Sequence, residues 1–118
     1  MVEPIIDAHH HIWRQAEVPW LSGPALPRIF GDYAPLRRDY GVEEFTSEIV
    51  PHAVEKSVYI QINVAPGREI EEVRWVQSVA QKHGFPHGIV AYADLAAPDL
   101  ADTLDAQSAY ANLRGIRP

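Results

Sequence analysis

Residues 5–13 read Ile-Ile-Asp-Ala-His-His-His-Ile-Trp, and the fold turns on how this stretch is read. Two β-branched residues lead in, and Ile12 and Trp13 follow the histidines. Such side chains suit a pleated, half-buried backbone, so the stretch predicts a first strand from Ile5 to about Ile12. Alternation along a strand sends Asp7, His9 and His11 to one face and Ile6, Ala8 and His10 to the other. Two imidazoles spaced in this way can reach one cation, and neutral imidazole suits zinc and similar divalent metals. The spacing alone also fits the histidine-rich end of a surface strand.

The segments that follow alternate between strand and helix patterns. Arg14 to Tyr40 carries Pro19, Pro24, Pro27 and Pro35 and little regular periodicity, which predicts a long loop. Loops of this length are usually functional. With Trp20, Leu21, Phe30 and Tyr33 it is too apolar for a solvated linker, so it is expected to fold back over the strand ends as a lid or pocket wall. Gly41–Val50 reads as a short helix burying Val42, Phe45 and Ile49, with Asp39 as its expected cap and Pro51 at its end. Lys56–Val64 reads as a second strand with Val58, Ile60, Ile62 and Val64 on one face and Ser57, Tyr59, Gln61 and Asn63 on the other. The apolar face is expected to meet outer helices. The polar face would then look inward, with Gln61 near the C-terminal mouth as a substrate-binding candidate or an interior hydrogen-bonding residue.

Arg68–His83 is the strongest helix pattern, with Ile70, Val73, Val76 and Ala80 on one side and Gly84 and Pro86 as its stop. His83 and His87 flank that stop and are expected on the surface. Gly88–Leu95 reads as a third strand with Asp94 at its C-terminal end, on one face with Tyr92 and Val90. Asp99 to about Asn112 reads as a helix turning Leu100, Leu104 and Ala111 inward. Arg114–Pro118 begins a fourth strand. The strand-to-strand repeat is about thirty residues, the size of a βαβ unit, which predicts an α/β fold with a parallel sheet.

Bulk properties narrow the function classes. A chain of 118 residues that is 47% hydrophobic and 22% charged can build a real core. A formal net charge of −6 argues against binding nucleic acid or an anionic membrane. With no cysteine, any metal must be held by histidine and carboxylate. No secretory leader pattern or membrane-length apolar run is present, so the cytoplasm is the default expectation.

These features together resemble the amidohydrolase superfamily. The nearest branch is the lactonase-like amidohydrolase-2 group that includes 2-pyrone-4,6-dicarboxylate hydrolases and fuconolactonases. The likeness is carried by IIDAHHHIW, by PWL and PLRRDY in the loop, by VAYADL at the third strand and by LRGIRP at the end. The resemblance implies the N-terminal part of a TIM (β/α)8 barrel over residues 1–118: three βα units, the start of a fourth strand, and loop 14–40 at the site face. It places His9 and His11 at the site, as ligands of an optional divalent metal, zinc or similar, or as donors to a substrate oxygen. It makes Arg117 a candidate for holding a substrate carboxylate, against an interior salt bridge with Asp94. The implied activity is opening of a lactone or related cyclic ester, with a carboxylated small molecule as substrate and a homo-oligomer as a further expectation. A complete barrel of this kind has about 250 residues, so the chain is expected to be part of a longer protein and inactive alone. The catalytic Asp and further His ligands of the family have no counterpart here. The alternatives are a non-oxidative decarboxylase of an aromatic acid on the same barrel, and a non-catalytic binding or assembly piece.

Overall fold

The computed structural model describes residues 2–118. Four strands, β1 (Ile5–His10), β2 (Val54–Ile60), β3 (Gly88–Ala91) and β4 (Leu113–Ile116), form one sheet in the order β1-β2-β3-β4. Every neighbouring pair is parallel. Parallel neighbours need a crossover, and helices supply each one: α2 (Val42–Ile49) leads into β2, α3 (Glu69–His83) into β3 and α4 (Leu100–Ser108) into β4. A four-residue helical turn, α1 (Pro19–Ser22), lies in the long segment after β1. The architecture is the α/β parallel sheet expected from the alternating patterns.

The core lies between the sheet and its helices. Val42 and Phe45 of α2 and Val73 and Val76 of α3 pack on Tyr59, Ile89 and Ala91 of the strands, together with Ile12. α3 reads as its sequence promises. Acidic residues fill its first turn, Lys82 and His83 its last, and Gly84 ends it at φ 80, a left-handed conformation that glycine adopts without steric cost. The helix also buries Glu72 and Gln77.

Several local expectations need correction. The faces of β2 are reversed. Tyr59 is 1% exposed and joins the helix-side core, while Val58 and Ile60 pair with Gly88 and Val90 on the opposite face. The reason is that Glu72 of α3 provides a buried acceptor for the Tyr59 hydroxyl, so the polar side chain is satisfied among helices. β1 does not alternate simply either. Asp7 pairs with Ser57 and His10 with Tyr59, so three positions of β1 match two of β2 across a bulge. Ile5 and Ile6, on this outer strand of the sheet, are exposed.

Asp39 does not cap α2. Its carboxylate accepts the Gln15 amide, and Gly41 stands at the cap position. β3 stops at Ala91, four residues before Leu95. α4 ends at Ser108, leaving Ala111 exposed. His83 is exposed as expected, whereas His87 is half-buried and its Nδ1 accepts the Ser57 amide at 3.3 Å.

Candidate active site

The segment between β1 and α2 is pinned at its base and folded onto the strand ends. Trp13 and Tyr40 exchange both backbone hydrogen bonds, at 2.7 and 2.9 Å, and their rings stack 5.0 Å apart. Within the segment Val18, Leu21 and Tyr33 gather with Ile62 into a second apolar cluster. Tyr33 and Trp20 therefore go into packing over the end of β2, while Phe30 stays exposed. Trp20 donates its indole N–H to the Ile62 carbonyl at 3.0 Å, which holds the segment to that strand end.

Beneath this wall lies a cavity of about 420 Å³. It is lined by His11, Trp20, Phe30, Gln61 and Arg117, among others. A smaller space of about 240 Å³ adjoins it through Gln61 and Asn63 and reaches Tyr92. Three of the residues singled out in the sequence, His11, Gln61 and Arg117, therefore share one cavity.

His9 and His11 come together beside it, with ring centroids 5.1 Å apart in an edge-to-face arrangement. Nδ1 of His11 lies 2.7 Å from the Ile60 carbonyl. A carbonyl can only accept, so Nδ1 carries the proton and the Nε2 lone pair is left free. Burial pushes the His11 pKa down, the Ile60 hydrogen bond opposes that, and the neighbouring His9 and Arg117 add to the lowering. The ring is thus neutral near pH 7, and its Nε2 lone pair is free to bind a cation or accept a proton, not to donate to a substrate oxygen. His10 faces the other way. It stacks on Phe45 at 4.0 Å, is 7% exposed, and burial pushes its pKa down to about 4.

Gln61 sits just past the end of β2 and is 3% exposed. Its Oε1 accepts the Asn63 amide at 2.6 Å, which leaves the side-chain NH₂ to donate. Arg117 follows β4, with its amide bonded to the Ala91 carbonyl, and no ion pair of Arg117 occurs among the described residues. Asp94 is not brought to this cavity. It is exposed, and its carboxylate accepts the Ala96 amide in a turn beyond β3. The strand ends too early to carry Asp94 inward, and the salt bridge with Arg117 does not form.

The fit to a divalent metal is partial. The Nδ1–H of His11 engaged by a backbone carbonyl is the arrangement that orients metal-binding imidazoles. Among the described residues, however, no group of three or more His, Asp or Glu side chains could hold an ion. The His9 and His11 imidazoles alone therefore fall short of a full coordination sphere among the described residues.

The fold recurs in solved structures. A crystal structure of an amidohydrolase from Burkholderia multivorans, with bound zinc, matches 98% of this chain at a TM-score of 0.70 and 28% identity, over 37% of its own length. The chain's structural neighbours are amidohydrolases. A probable 2-pyrone-4,6-dicarboxylic acid hydrolase from Acinetobacter baumannii, with citric acid bound, shares the fold at a TM-score of 0.61 and 15% identity, over 98% of this chain and 38% of its own. Two sequence relatives cover the same ground. An uncharacterized protein, y4mH, of Sinorhizobium fredii is 44% identical over 96% of this chain and 39% of its own length. An L-fucono-1,5-lactonase of Burkholderia ambifaria is 27% identical over 96% of this chain and 36% of its own. No family model matches the chain. The chain thus spans less than two fifths of the length of the relatives it matches. Four parallel strands with their helices agree with the N-terminal part of such a barrel. No helix among the described residues is long and apolar enough to cross a membrane.

Proposed function

We propose that residues 1–118 supply the first βα units of an amidohydrolase-type barrel that opens a carboxylated lactone by hydrolysis. The observation that carries this reading is the His9–His11 pair standing beside a cavity that Gln61 and Arg117 also line. In the reaction, water adds to the lactone carbonyl carbon, the ring C–O bond breaks, and the freed alkoxide takes up a proton to give a hydroxy acid. Gln61 presents its NH₂ toward the space where the carbonyl oxygen would lie, and the Nε2 lone pair of His11 would accept a proton from the attacking water or hold a cation. The guanidinium of Arg117 suits a substrate carboxylate through paired N–H bonds. Trp20 and Phe30 shield the bound ring from bulk water, which strengthens the polar contacts beneath them. A divalent metal held in part by His9 and His11 would supply Lewis acidity when bound. The zinc in the Burkholderia multivorans amidohydrolase supports that assignment.

The test is acid release. The protein carrying these residues is offered a panel of carboxylated and neutral lactones, with and without added zinc, and proton production is followed at constant pH. Turnover of carboxylated lactones supports the proposal. Release of CO₂ from aromatic acids with no lactone opening would overturn it in favour of decarboxylation. Arg117→Gln is expected to raise KM for the carboxylated substrate about 10- to 100-fold, the worth of hydrogen bonds to a charged group. The same change should leave KM for a neutral lactone within about twofold, because a lone rim charge contributes little to an uncharged ligand.

A further inference from the structure

The end of β2 is a junction on which the site depends. The Ile60 carbonyl accepts His11 Nδ1–H, the Ile62 carbonyl accepts the Trp20 indole, and Gln61 and Asn63 line the cavity. Yet the last sheet bond of this strand is the Gln61 amide to the Val90 carbonyl at 2.9 Å, and Asn63 takes up a positive φ of 58. Beyond that point the backbone needs another anchor. The Ile62 amide finds one outside the sheet, donating to Oε2 of Glu72 at 3.2 Å. The same Oε2 accepts the Tyr59 hydroxyl at 2.5 Å. Glu72 is 6% exposed and belongs to the helix-side core.

We infer that Glu72 is a positioning residue. From α3, on the outer side of the sheet, it fixes residues 60–62 so that His11 keeps its tautomer and Trp20 keeps its place over the cavity. A carboxylate inside an apolar helix face is costly to bury, and here its Oε2 accepts from both the Tyr59 hydroxyl and the Ile62 amide. The inference rests on the reading of His11 as a site residue, but its test reads ring and indole signals and not turnover.

The experiment is NMR on protein carrying ¹⁵N-labelled histidine and tryptophan, with three variants. Glu72→Gln keeps an acceptor oxygen at full length and should leave the His11 Nδ1–H signature and the Trp20 indole exchange rate within about twofold of wild type. Glu72→Asp is one methylene shorter and cannot meet Tyr59 and Ile62 together. It should raise Trp20 indole exchange at least about tenfold and turn His11 into a mixture of tautomers. Tyr59→Phe loosens the core but keeps the Glu72–Ile62 bond, so the two signals should stay wild-type while stability falls. Glu72→Asp signals equal to those of Glu72→Gln would overturn the inference. So would Tyr59→Phe signals disturbed as much as those of Glu72→Asp, since the effect would then be general loosening. A protein that opens no lactone leaves these readouts intact, so the two proposals fail separately.

Discussion

His11→Ala is expected to lower lactone opening by about two to three orders of magnitude, within the usual worth of a positioned proton acceptor. The argument starts from the hydrogen bond to Ile60. It fixes which nitrogen carries the proton and aims the other, while burial keeps the ring uncharged. Alanine removes both the free lone pair and the orientation. His9→Ala should cost less, because His9 is exposed and its ring meets the edge of His11 without a carbonyl to lock it. His10→Phe makes the control. That ring stacks on Phe45 among the helices, so phenylalanine should keep kcat/KM within about threefold, as expected for a volume-conserving swap away from the chemistry. Steady-state kinetics on the three variants separate the positions. Equal losses at 10 and 11 would mean that the triplet acts through the strand and not through a paired imidazole site.

The fold was legible in the sequence because each layer of signal agreed. Val73, Val76 and Ala80 repeat at helical spacing, Gly84 and Pro86 stop the helix, and β-branched runs return at βαβ intervals. The proline-rich segment after β1 was legible as a wall because most of its large apolar side chains, Val18, Leu21 and Tyr33 among them, needed burial. Errors arose where a distant partner overrides a local pattern. Nothing around Tyr59 states that Glu72, thirteen positions later, will accept its hydroxyl, so period-2 reasoning turned β2 the wrong way round. The bulge between Asp7 and His10 lies in the register with β2 and not in the composition of β1. Asp94 looked like the end of a strand because Gly88–Leu95 alternates, yet pairing to β4 stops at Ala91.

That His11, Gln61 and Arg117 line one cavity agrees with their expected places near strand ends, Arg117 having been singled out through the family resemblance. Glu72 could not be given a role, though one signal was present. It lies at i and i+4 with Val76 and at i and i+8 with Ala80, on the apolar stripe of α3. An acid in that stripe asks for a buried donor. Trp20 was visible as a residue needing burial, whereas Phe30 stays exposed; that both line the cavity with His11 depends on long-range pairing such as the bridge between Trp13 and Tyr40.

Tyr59→Ala is expected to cost about 3–5 kcal/mol of stability, the range for removing a fully buried aromatic ring. The ring is 1% exposed and sits where α2, α3 and three strands converge, so the neighbours have little room to collapse into the space. Tyr59→Phe keeps the ring and should cost about 1–3 kcal/mol, because Glu72 then loses a donor in a buried setting. The pH dependence of that second difference tests the origin of the cost. Burial pushes the Glu72 carboxyl above its ordinary value, while the Tyr59 hydroxyl and the Ile62 amide oppose the shift by bonding the charged form. A raised folded-state value means that the stabilising contribution is fully present below the unfolded value and is lost as pH rises through the folded one. Phenylalanine removes one of the two groups that favour the carboxylate, so the folded-state value climbs further and more stability is lost on the way to neutral pH. The gap between wild type and Tyr59→Phe, read from urea unfolding midpoints, should therefore be smallest where Glu72 is protonated in both states and widen as pH rises above the ordinary glutamate range. A gap that stays constant across that range would place the cost in ring packing and not in the carboxyl–hydroxyl bond.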